Sequence, residues 1–443
     1  MNDNILLNGS IKNLFKKFVF PSVVAMLITG IQGMVDGLFV GNLLGPNAMA
    51  SITISMPFVQ VIIALSMIVS IGAQSYMGIS LGANKIQDAK DGFKTSIIII
   101  SLIGSIITVI GFVFNKELSL ILGANEVLVD DVSTYIRTIA IIVIPASLSF
   151  LFGFSTRMIE KPEKYFYGTI LSLAINITLN YLFIYKFNMG VMGAGLATGL
   201  SYSSVLLIVI WDFFKKDSII NVIDGKFNKN TIYPIVYNGS SEGVNALSGA
   251  VNAFLFNMAF MNIAGELGVA GFTAISYIAQ FGTIIMFGIS DGIGPIISYN
   301  YGNKAFNRVN ETLKYSFISI TFIEIFVFVT LFFFAENLIE ILIKGEYEVI
   351  SLATFGSKIY AFAFFMNGFN IVFSGFFTSI GNARNSVIVA SLRGIILIPL
   401  GLLTLPKFLG ITGVWLSIPF AELITFVTGI VLIKKSNREM KNL

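Results

Sequence analysis

The sequence predicts an all-α integral membrane protein with twelve transmembrane helices, arranged as two six-helix lobes that repeat in parallel orientation. Three observations support this prediction: the composition, a series of long apolar runs and an internal repeat. Hydrophobic residues make up 55% of the 443 residues and charged residues only 12%, and the mean hydropathy is +0.85. Because about a quarter of the residues in a soluble protein are charged, the composition alone favours a membrane protein.

Twelve apolar runs are long enough to cross a bilayer. A transmembrane helix needs about 20 mostly apolar residues, and each run approaches or exceeds that length with few charges in its interior. The first run is too long for the core of a cleavable signal peptide and has no small-residue cleavage site, so we expect it to remain as the first span. The predicted spans are 15–44, 52–81, 95–114, 132–156, 165–185, 190–211, 231–263, 269–299, 315–334, 359–380, 386–405 and 411–433.

Basic residues decide the orientation of the spans. Seven short segments carry 22 of the 28 lysine and arginine residues, and all seven lie on one side of the membrane if both termini are cytoplasmic. This bias follows the positive-inside rule, so we expect a multi-pass protein of a bacterial-type inner membrane. The basic residues are dispersed over separate loops, which argues against a nucleic-acid-binding patch. The seven segments are 12–17, 85–94, 157–164, 215–229, 304–314, 384–393 and 434–441.

The two halves of the chain repeat at an offset near 220 residues. The segment 190–196 corresponds to 410–416, and Gly72 corresponds to Gly292. Because each half has an even number of spans, both copies insert with the same orientation, as in parallel-repeat transporters. Alternating access requires such a pair of lobes, whereas a simple anchor does not. The predicted parts are an N-terminal lobe at 1–214, a cytoplasmic linker at 215–230 and a C-terminal lobe at 231–443.

Five carboxylates lie inside predicted spans, where a charge is costly in hydrocarbon. We therefore expect each of them to face the helix bundle or a wet cavity. Helical spacing places Asp36 on one face with Thr29 and Gln32, and it places Asn176 and Asn180 one turn apart. The five carboxylates are Asp36, Glu242, Asp291, Glu324 and Glu422.

Two further polar stripes lie in the C-terminal half. Together with the N-terminal ones they predict polar interiors that suit a water-accessible cavity. The alternative is that asparagine, serine and threonine join the helices through interhelical hydrogen bonds. For Glu324 and Glu422 we expect a structural role, paired with a basic group such as Arg393. The stripes are Asn238, Glu242, Asn245 and Asn252 in the seventh span, and Asn367, Asn370, Ser374 and Thr378 in the tenth.

The sequence does not have the residues of an enzyme site. It contains neither histidine nor cysteine, which removes the usual general base and every thiolate ligand. It also lacks the glycine loop with a lysine that cradles phosphates in ATP-driven proteins. We therefore expect no enzyme activity and no cofactor, and we expect transport to be driven by an ion gradient.

Five motifs in five different spans are specific when taken together. They are GMVDGLFVG at 33–41, NITLN at 176–180, NGSSE at 238–242, PIISYNYG at 295–302 and GVWL at 413–416. With them the chain resembles the MATE (multidrug and toxic compound extrusion) family, nearest to its MepA-like branch, over essentially all twelve spans.

The resemblance implies a V-shaped pair of six-helix lobes that exchanges a cytosolic organic cation for external H⁺ or Na⁺. It implies that Asp36 is the coupling acid of the N-terminal lobe. Asn176, Asn180 and Thr198 then complete an H⁺ or Na⁺ site around it, and a possible Na⁺ position is at Asp36, Asn180 and Thr198. Some family members have an aspartate where this chain has Asn180.

In the C-terminal lobe the resemblance implies a cation site or substrate cavity around Glu242. Some family members add a tenth-span aspartate there, whereas this chain has only Asn367 and Asn370. Asp291 is a candidate to supply the missing charge. The residues expected to line this cavity are Glu242, Asn238, Asn245, Asp291, Asn367 and Asn370.

We expect the substrates to be cationic amphipathic small molecules and the functional unit to be a monomer in the lipid bilayer. Our hypothesis is that H⁺ or Na⁺ at Asp36 changes how the first helix packs on the fifth and so competes with substrate. One alternative is a lipid-linked precursor flippase of the same superfamily, which would line its cavity with basic residues, whereas only Arg137 and Arg393 lie deep inside predicted spans. Another is a channel or non-transporting scaffold, which would show no saturable exchange.

Overall fold

The computed structural model describes residues 4–343 and 346–442, and over these ranges the chain is almost entirely helical. Eleven helices in the described ranges are long and apolar enough to cross a membrane. A short helix, Ile5–Asn8, precedes them, and two others, Asn115–Ile121 and Ala335–Leu342, lie between them. The eleven long helices are Ile11–Leu43, Pro46–Gly82, Ile86–Val113, Val129–Ser155, Pro162–Lys186, Gly190–Phe214, Lys229–Gly302, Phe306–Phe333, Tyr347–Ser379, Ala383–Leu409 and Ile411–Lys441.

The longest of these helical stretches, Lys229–Gly302, contains two spans. A straight helix of its 74 residues would be roughly 110 Å long, several times the ~30 Å of the hydrocarbon core. Gly265 interrupts the stretch with φ 63° and ψ −152°, which is backbone that glycine adopts at little cost. The seventh and eighth spans therefore lie on either side of Gly265, and the prediction of twelve spans is confirmed. We number the spans 1 to 12 in chain order.

The internal repeat is visible in the backbone angles. Gly45 and Gly265 have φ 85° and 63°, and Gly190 and Gly410 have φ 58° and 56°. Both pairs are separated by the offset of 220 residues found in the sequence, and each glycine stands where a span begins. The chain therefore breaks its helices at matching places in the two halves.

The described chain packs as two compact units. The first comprises the residues up to Asn8 together with Val24–Gly239, and the second comprises Gly9–Val23 together with the residues from Ser240 onward. These units divide the chain differently from the predicted lobes. The beginning of span 1 packs with the C-terminal spans, and the beginning of span 7 packs with the N-terminal ones.

Glycines explain why the beginnings of spans 1 and 7 pack where they do. In the second unit, a Cβ on Gly288 would lie 2.6 Å from the Cα of Val23. In the first unit, a Cβ on Gly239 would lie 1.8 Å from the backbone oxygen of Ile68. No side chain fits at such distances, so glycine is what allows these helix backbones to approach each other.

An apolar core in the second unit holds spans 7, 8, 10 and 12 together. Trp415, the largest fully buried side chain described, packs on Phe260 with ring centroids 4.5 Å apart. Phe256 and Phe272 stack beside them at 4.8 Å. Gly356 leaves room for the indole, because a Cβ at that position would lie 2.1 Å from the ring.

The segment predicted as a linker, 215–230, lies against the beginning of span 3. The Lys90 ammonium is 2.7 Å from the Asp224 carboxylate, and Ile220 and Asn221 are fully buried. Hydrogen bonds from Lys90 and from the Asn221 amide favour the charged form of Asp224 and so lower the pKa of its carboxyl. This segment is therefore an ordered part of the N-terminal unit.

Candidate functional site

Asp36 lies in the C-terminal third of span 1, Ile11–Leu43, and accepts three hydrogen bonds from neutral side chains. The Nδ2 atoms of Asn176 and Asn180 donate to its Oδ1 at 2.8 and 2.7 Å. The Oγ1 of Thr198 donates to its Oδ2 at 2.9 Å. None of the ion pairs among the described residues involves Asp36. The structure thus brings together the four residues that the sequence grouped, around a carboxylate that lacks a basic partner.

Thr198 has two acceptors within reach of its single hydroxyl proton. Its Oγ1 is 2.9 Å from Asp36 Oδ2 and 3.0 Å from the backbone oxygen of Ala194. A hydroxyl donates one proton and accepts through its lone pairs. Thr198 can therefore donate to an ionised Asp36, or accept from a protonated Asp36 while it donates to Ala194.

Span 5 supplies both amides from one face. Asn176 and Asn180 are one turn apart and fully buried, and Asn180 Nδ2 also lies 3.2 Å from Asn176 Oδ1. The Oδ1 of Asn180 is buried without a hydrogen-bond partner in the described ranges. A π-helical segment, Tyr181–Lys186, begins directly after Asn180, and such segments occur most often at functional sites.

A second polar layer lies one helical turn nearer the N-terminal end of span 1. Gln32 Nε2 donates to Ser201 Oγ at 2.9 Å, and Ser172 Oγ donates to Gln32 Oε1 at 3.2 Å. Sequence reasoning placed Gln32 on the face of Asp36 but missed both serines. Their spacing was the available signal, since Ser172 is one turn before Asn176 and Ser201 is three residues after Thr198.

Two tyrosines that the sequence did not single out also lie near the acid. Tyr135 and Tyr202 are both within range of electrostatic interaction with Asp36. Tyr135 is only 3% exposed. Tyr202 is one turn after Thr198 on span 6, so spacing was an available signal for it, whereas no spacing argument reaches Tyr135 on span 4.

In the second unit the tenth-span asparagines bind Glu422. Asn367 Nδ2 donates to Glu422 Oε1 at 2.8 Å, and Asn370 Nδ2 donates to Glu422 Oε2 at 2.7 Å. Arg393 Nε is 3.0 Å from the same carboxylate. The pairing of Glu422 with Arg393 is as expected. The sequence had grouped Asn367 and Asn370 with Glu242, and the structure instead directs their amides to span 12.

Among the described residues Glu324 forms no ion pair with a basic group, contrary to expectation. Its Oε1 accepts the backbone N–H of Gly368 at 3.0 Å and that of Phe369 at 3.4 Å. These groups belong to the first turn of the helix Asn367–Ser379, where N–H groups have no partner within the helix and favour a negative charge. Glu324 therefore holds the start of this helix.

Glu242 keeps only part of its predicted surroundings. Asn245 hydrogen-bonds to it, and Asp291 and Arg393 lie within electrostatic range. Asn238 is buried and falls in the first compact unit rather than in the second. Glu242, Asn245 and Asp291 thus form an acidic group next to Arg393.

The fold and the site together define a class. Twelve spans in two related halves, with a half-buried intramembrane carboxylate whose partners in the described ranges are neutral, are typical of a secondary membrane transporter. The family model described as MatE matches residues 21–182 and 249–403, which is well over half of the chain. The chain belongs to the MATE family.

Curated relatives and solved structures agree with this assignment. The chain is similar to "Multidrug export protein MepA" of Staphylococcus haemolyticus (strain JCSC1435), with 28% identity over 95% of this chain and 94% of the relative. It is 26% identical to the protein of that name from Staphylococcus aureus (strain MSSA476), over 91% of this chain and 89% of the relative.

Two solved structures have the same fold. A crystal structure of a MATE protein in complex with MaL6 superposes with a TM-score of 0.93 at 22% identity and covers 100% of both chains. An outward-facing multidrug resistance MATE family transporter of the MOP superfamily superposes with a TM-score of 0.92 at 22% identity, covering 100% of this chain and 99% of the other.

Proposed function

We propose that this protein is a secondary active efflux antiporter of the bacterial cell membrane, which exports organic cations of the multidrug type in exchange for an inward-moving ion at Asp36. The observation that carries the proposal is the Asp36 carboxylate, held by Asn176, Asn180 and Thr198 without a basic partner. Partial burial of a carboxylate among neutral partners favours uptake of a positive charge. The names of the MepA relatives support the multidrug part.

A proton fits this cluster without moving any heavy atom. When Asp36 is protonated on Oδ2, its O–H donates to Thr198 Oγ1, and the Thr198 hydroxyl turns its own proton to Ala194, 3.0 Å away. Both asparagine amides continue to donate to Oδ1. The two charge states of Asp36 therefore share one set of contacts, which supports H⁺ as the coupling ion.

Na⁺ is the second candidate, and one observation favours it. The buried Oδ1 of Asn180 has no hydrogen-bond partner in the described ranges, and hard cations take oxygen ligands. Against this, both asparagines present Nδ2 rather than Oδ1 to Asp36. A Na⁺ site would require the amides to turn, so we favour H⁺ over Na⁺ as the coupling ion.

The substrate would be attracted by the acidic group of the second unit. Glu242 and Asp291 lie within electrostatic range of each other, and together they outweigh the single charge of Arg393. A cation with a large apolar surface would gain most of its affinity from apolar walls and its orientation from these acids. The basic cytoplasmic segments support an orientation with both termini in the cytoplasm, and we propose a monomer as the working unit.

The test is dye efflux from liposomes that contain the purified protein, under separately imposed H⁺ and Na⁺ gradients. We expect an H⁺ gradient to drive ethidium exchange and Asp36→Asn to abolish it while the variant remains folded. The matched control is Asp130→Asn, whose carboxylate is exposed, and it should transport normally.

Normal efflux by Asp36→Asn would refute the role of the acid. An absence of exchange under either gradient would refute the antiporter. Transfer of a lipid-linked precursor without any cation exchange would favour the flippase alternative.

A further inference from the structure

A small cavity with several polar side chains in its lining lies within the N-terminal unit, on the N-terminal side of Asp36 along span 1. Its volume of about 10 Å³ is close to the space that one water molecule needs. Spans 1, 4, 5 and 6 all contribute to its walls. Phe150 and Val205 are the apolar lining residues, and those with a polar group are Thr29, Gln32, Ser149, Tyr165, Thr169, Ser172 and Tyr202.

The hydroxyl groups of the lining are arranged to accept hydrogen bonds. Thr29, Ser149 and Thr169 each donate to a backbone oxygen of their own helix, at 3.0, 2.6 and 2.8 Å. Their remaining lone pairs are free to accept. A buried water needs two to four polar partners, and this lining offers that number.

Gln32 separates the cavity from Asp36. It stands one turn from Asp36 on the same face of span 1 and is 1% exposed. Its amide bridges spans 5 and 6, because it accepts from Ser172 at 3.2 Å and donates to Ser201 at 2.9 Å. An amide has no proton that it gives up near neutral pH, so it closes a hydrogen-bonded path that hydroxyls and water would leave open.

We propose that this cavity is the inner proton port of Asp36 and that Gln32 is the gate between them. The proposal rests on the proposed coupling role of Asp36 and on the N-terminal end of span 1 facing the cytoplasm. In the bridged conformation of Gln32 the port is closed. When the side chain turns away from the two serines, water joins Asp36 to the cavity.

The proton balance of this step is simple. The Asp36 O–H bond breaks as a water molecule takes the proton, and the hydronium that forms passes its proton on through the cavity. The carboxylate that remains is stabilised by the two amides that already donate to it and by the Thr198 hydroxyl, which turns its proton back to Oδ2. Closure of the gate then prevents the proton from crossing without substrate.

The test measures proton leak in the absence of any substrate. Wild type, Gln32→Ser and Gln32→Met are reconstituted in liposomes with a pH-sensitive dye inside, and a pH gradient is imposed. We expect Gln32→Ser to leak about tenfold faster than wild type, because the short side chain leaves space for water. Gln32→Met fills the same volume with an apolar side chain, so we expect its proton leak to be as slow as that of wild type.

The double variant Gln32→Ser/Asp36→Asn distinguishes the port from a general defect. We expect it to lose the leak, because the proton must pass through Asp36. A proton leak through Gln32→Ser that is no faster than through wild type would overturn the proposal. A leak that persists in the double variant would also overturn it. No dye is transported in this assay. It therefore tests the proton port independently of the antiport assay.

A second variant tests the cavity itself. Thr169→Leu should fill it and reduce kcat of H⁺-driven efflux about tenfold with KM for the dye unchanged. Thr178→Leu, on the exposed face of the same span, is the matched control and should leave both unchanged. An unaltered kcat in folded Thr169→Leu would show that the proton takes another route and would overturn the proposal.

Discussion

At the scale of single residues, two acids within the spans of this chain have similar amide partners but different charge environments. Asp36 and Glu422 each accept from two asparagines on one helix. Glu422 also has Arg393 at 3.0 Å, whereas Asp36 has only Thr198 as its third partner. The arginine supplies a permanent positive charge, so Glu422 has no need of an incoming ion.

The Thr198 hydroxyl should set the pH range of transport. Thr198→Val removes a hydrogen bond from both charge states of Asp36, and the bond to the charged form, about 1.5–3 kcal/mol, is stronger than the bond of about 1 kcal/mol to the neutral form. Asp36 will then keep its proton to higher pH, so we expect the pH profile of efflux to move upward by about one unit. The measurement is dye efflux from liposomes as a function of internal pH. Thr178→Val is the control, and an unmoved profile in Thr198→Val would contradict this account.

We expect the Arg393–Glu422 ion pair to stabilise the folded protein. Arg393→Met leaves a buried carboxylate without its charge partner, which typically costs about 3–5 kcal/mol. We expect a clear fall in the thermal melting temperature of the purified protein, and we expect the double variant Arg393→Met/Glu422→Met to recover most of it. A single variant as stable as wild type would show that the pair is dispensable.

At the scale of helices, hydropathy predicted where the spans are but not where they begin. Span 10 was predicted at 359–380, whereas its helix starts at Tyr347 and tightens to a 3₁₀ turn at Ala361–Phe365. The residues before 359 include Glu348 and Lys358, which lowered the local hydropathy. Such residues at the end of a helix extend beyond the hydrocarbon core without interrupting the backbone hydrogen bonds.

The partners of each helix could be predicted only in part. Spacing in the sequence gives the face of one helix, and it correctly placed Asn176 with Asn180 and Gln32 with Asp36. It does not say which other helix meets that face. Asn367 and Asn370 share a face as predicted, but their partner on span 12 was found only in three dimensions.

The glycine contact between spans 2 and 7 provides a test at this scale. A Cβ on Gly239 would lie 1.8 Å from the Ile68 oxygen, whereas a Cβ on Gly249, further along span 7, would meet nothing within 4 Å. We expect Gly239→Ala to destabilise the protein by about 1–3 kcal/mol or more through overpacking. Gly249→Ala should be close to neutral. Equal melting temperatures for the two variants would contradict the described packing.

At the scale of the whole molecule, the duplicated fold carries different charges in its two halves. The first unit holds a carboxylate without a basic partner, and the second holds Glu242 and Asp291 near Arg393. The family resemblance predicted this division from the motifs around Asp36 and Glu242. We propose that the ion acts in the first unit and that the second attracts the substrate cation.

Linkage between the two sites makes a direct measurement possible. If substrate and proton compete, each lowers the affinity of the protein for the other by the same factor, so at a pH where Asp36 is protonated, substrate binding releases its proton. Addition of ethidium to the purified protein in weakly buffered solution should release close to one proton per chain from wild type, seen as a fall in pH. The same addition to Asp36→Asn should bind dye without any release. Dye binding to wild type without a pH change, or equal release from Asp36→Asn, would contradict the claim that Asp36 carries the coupling proton.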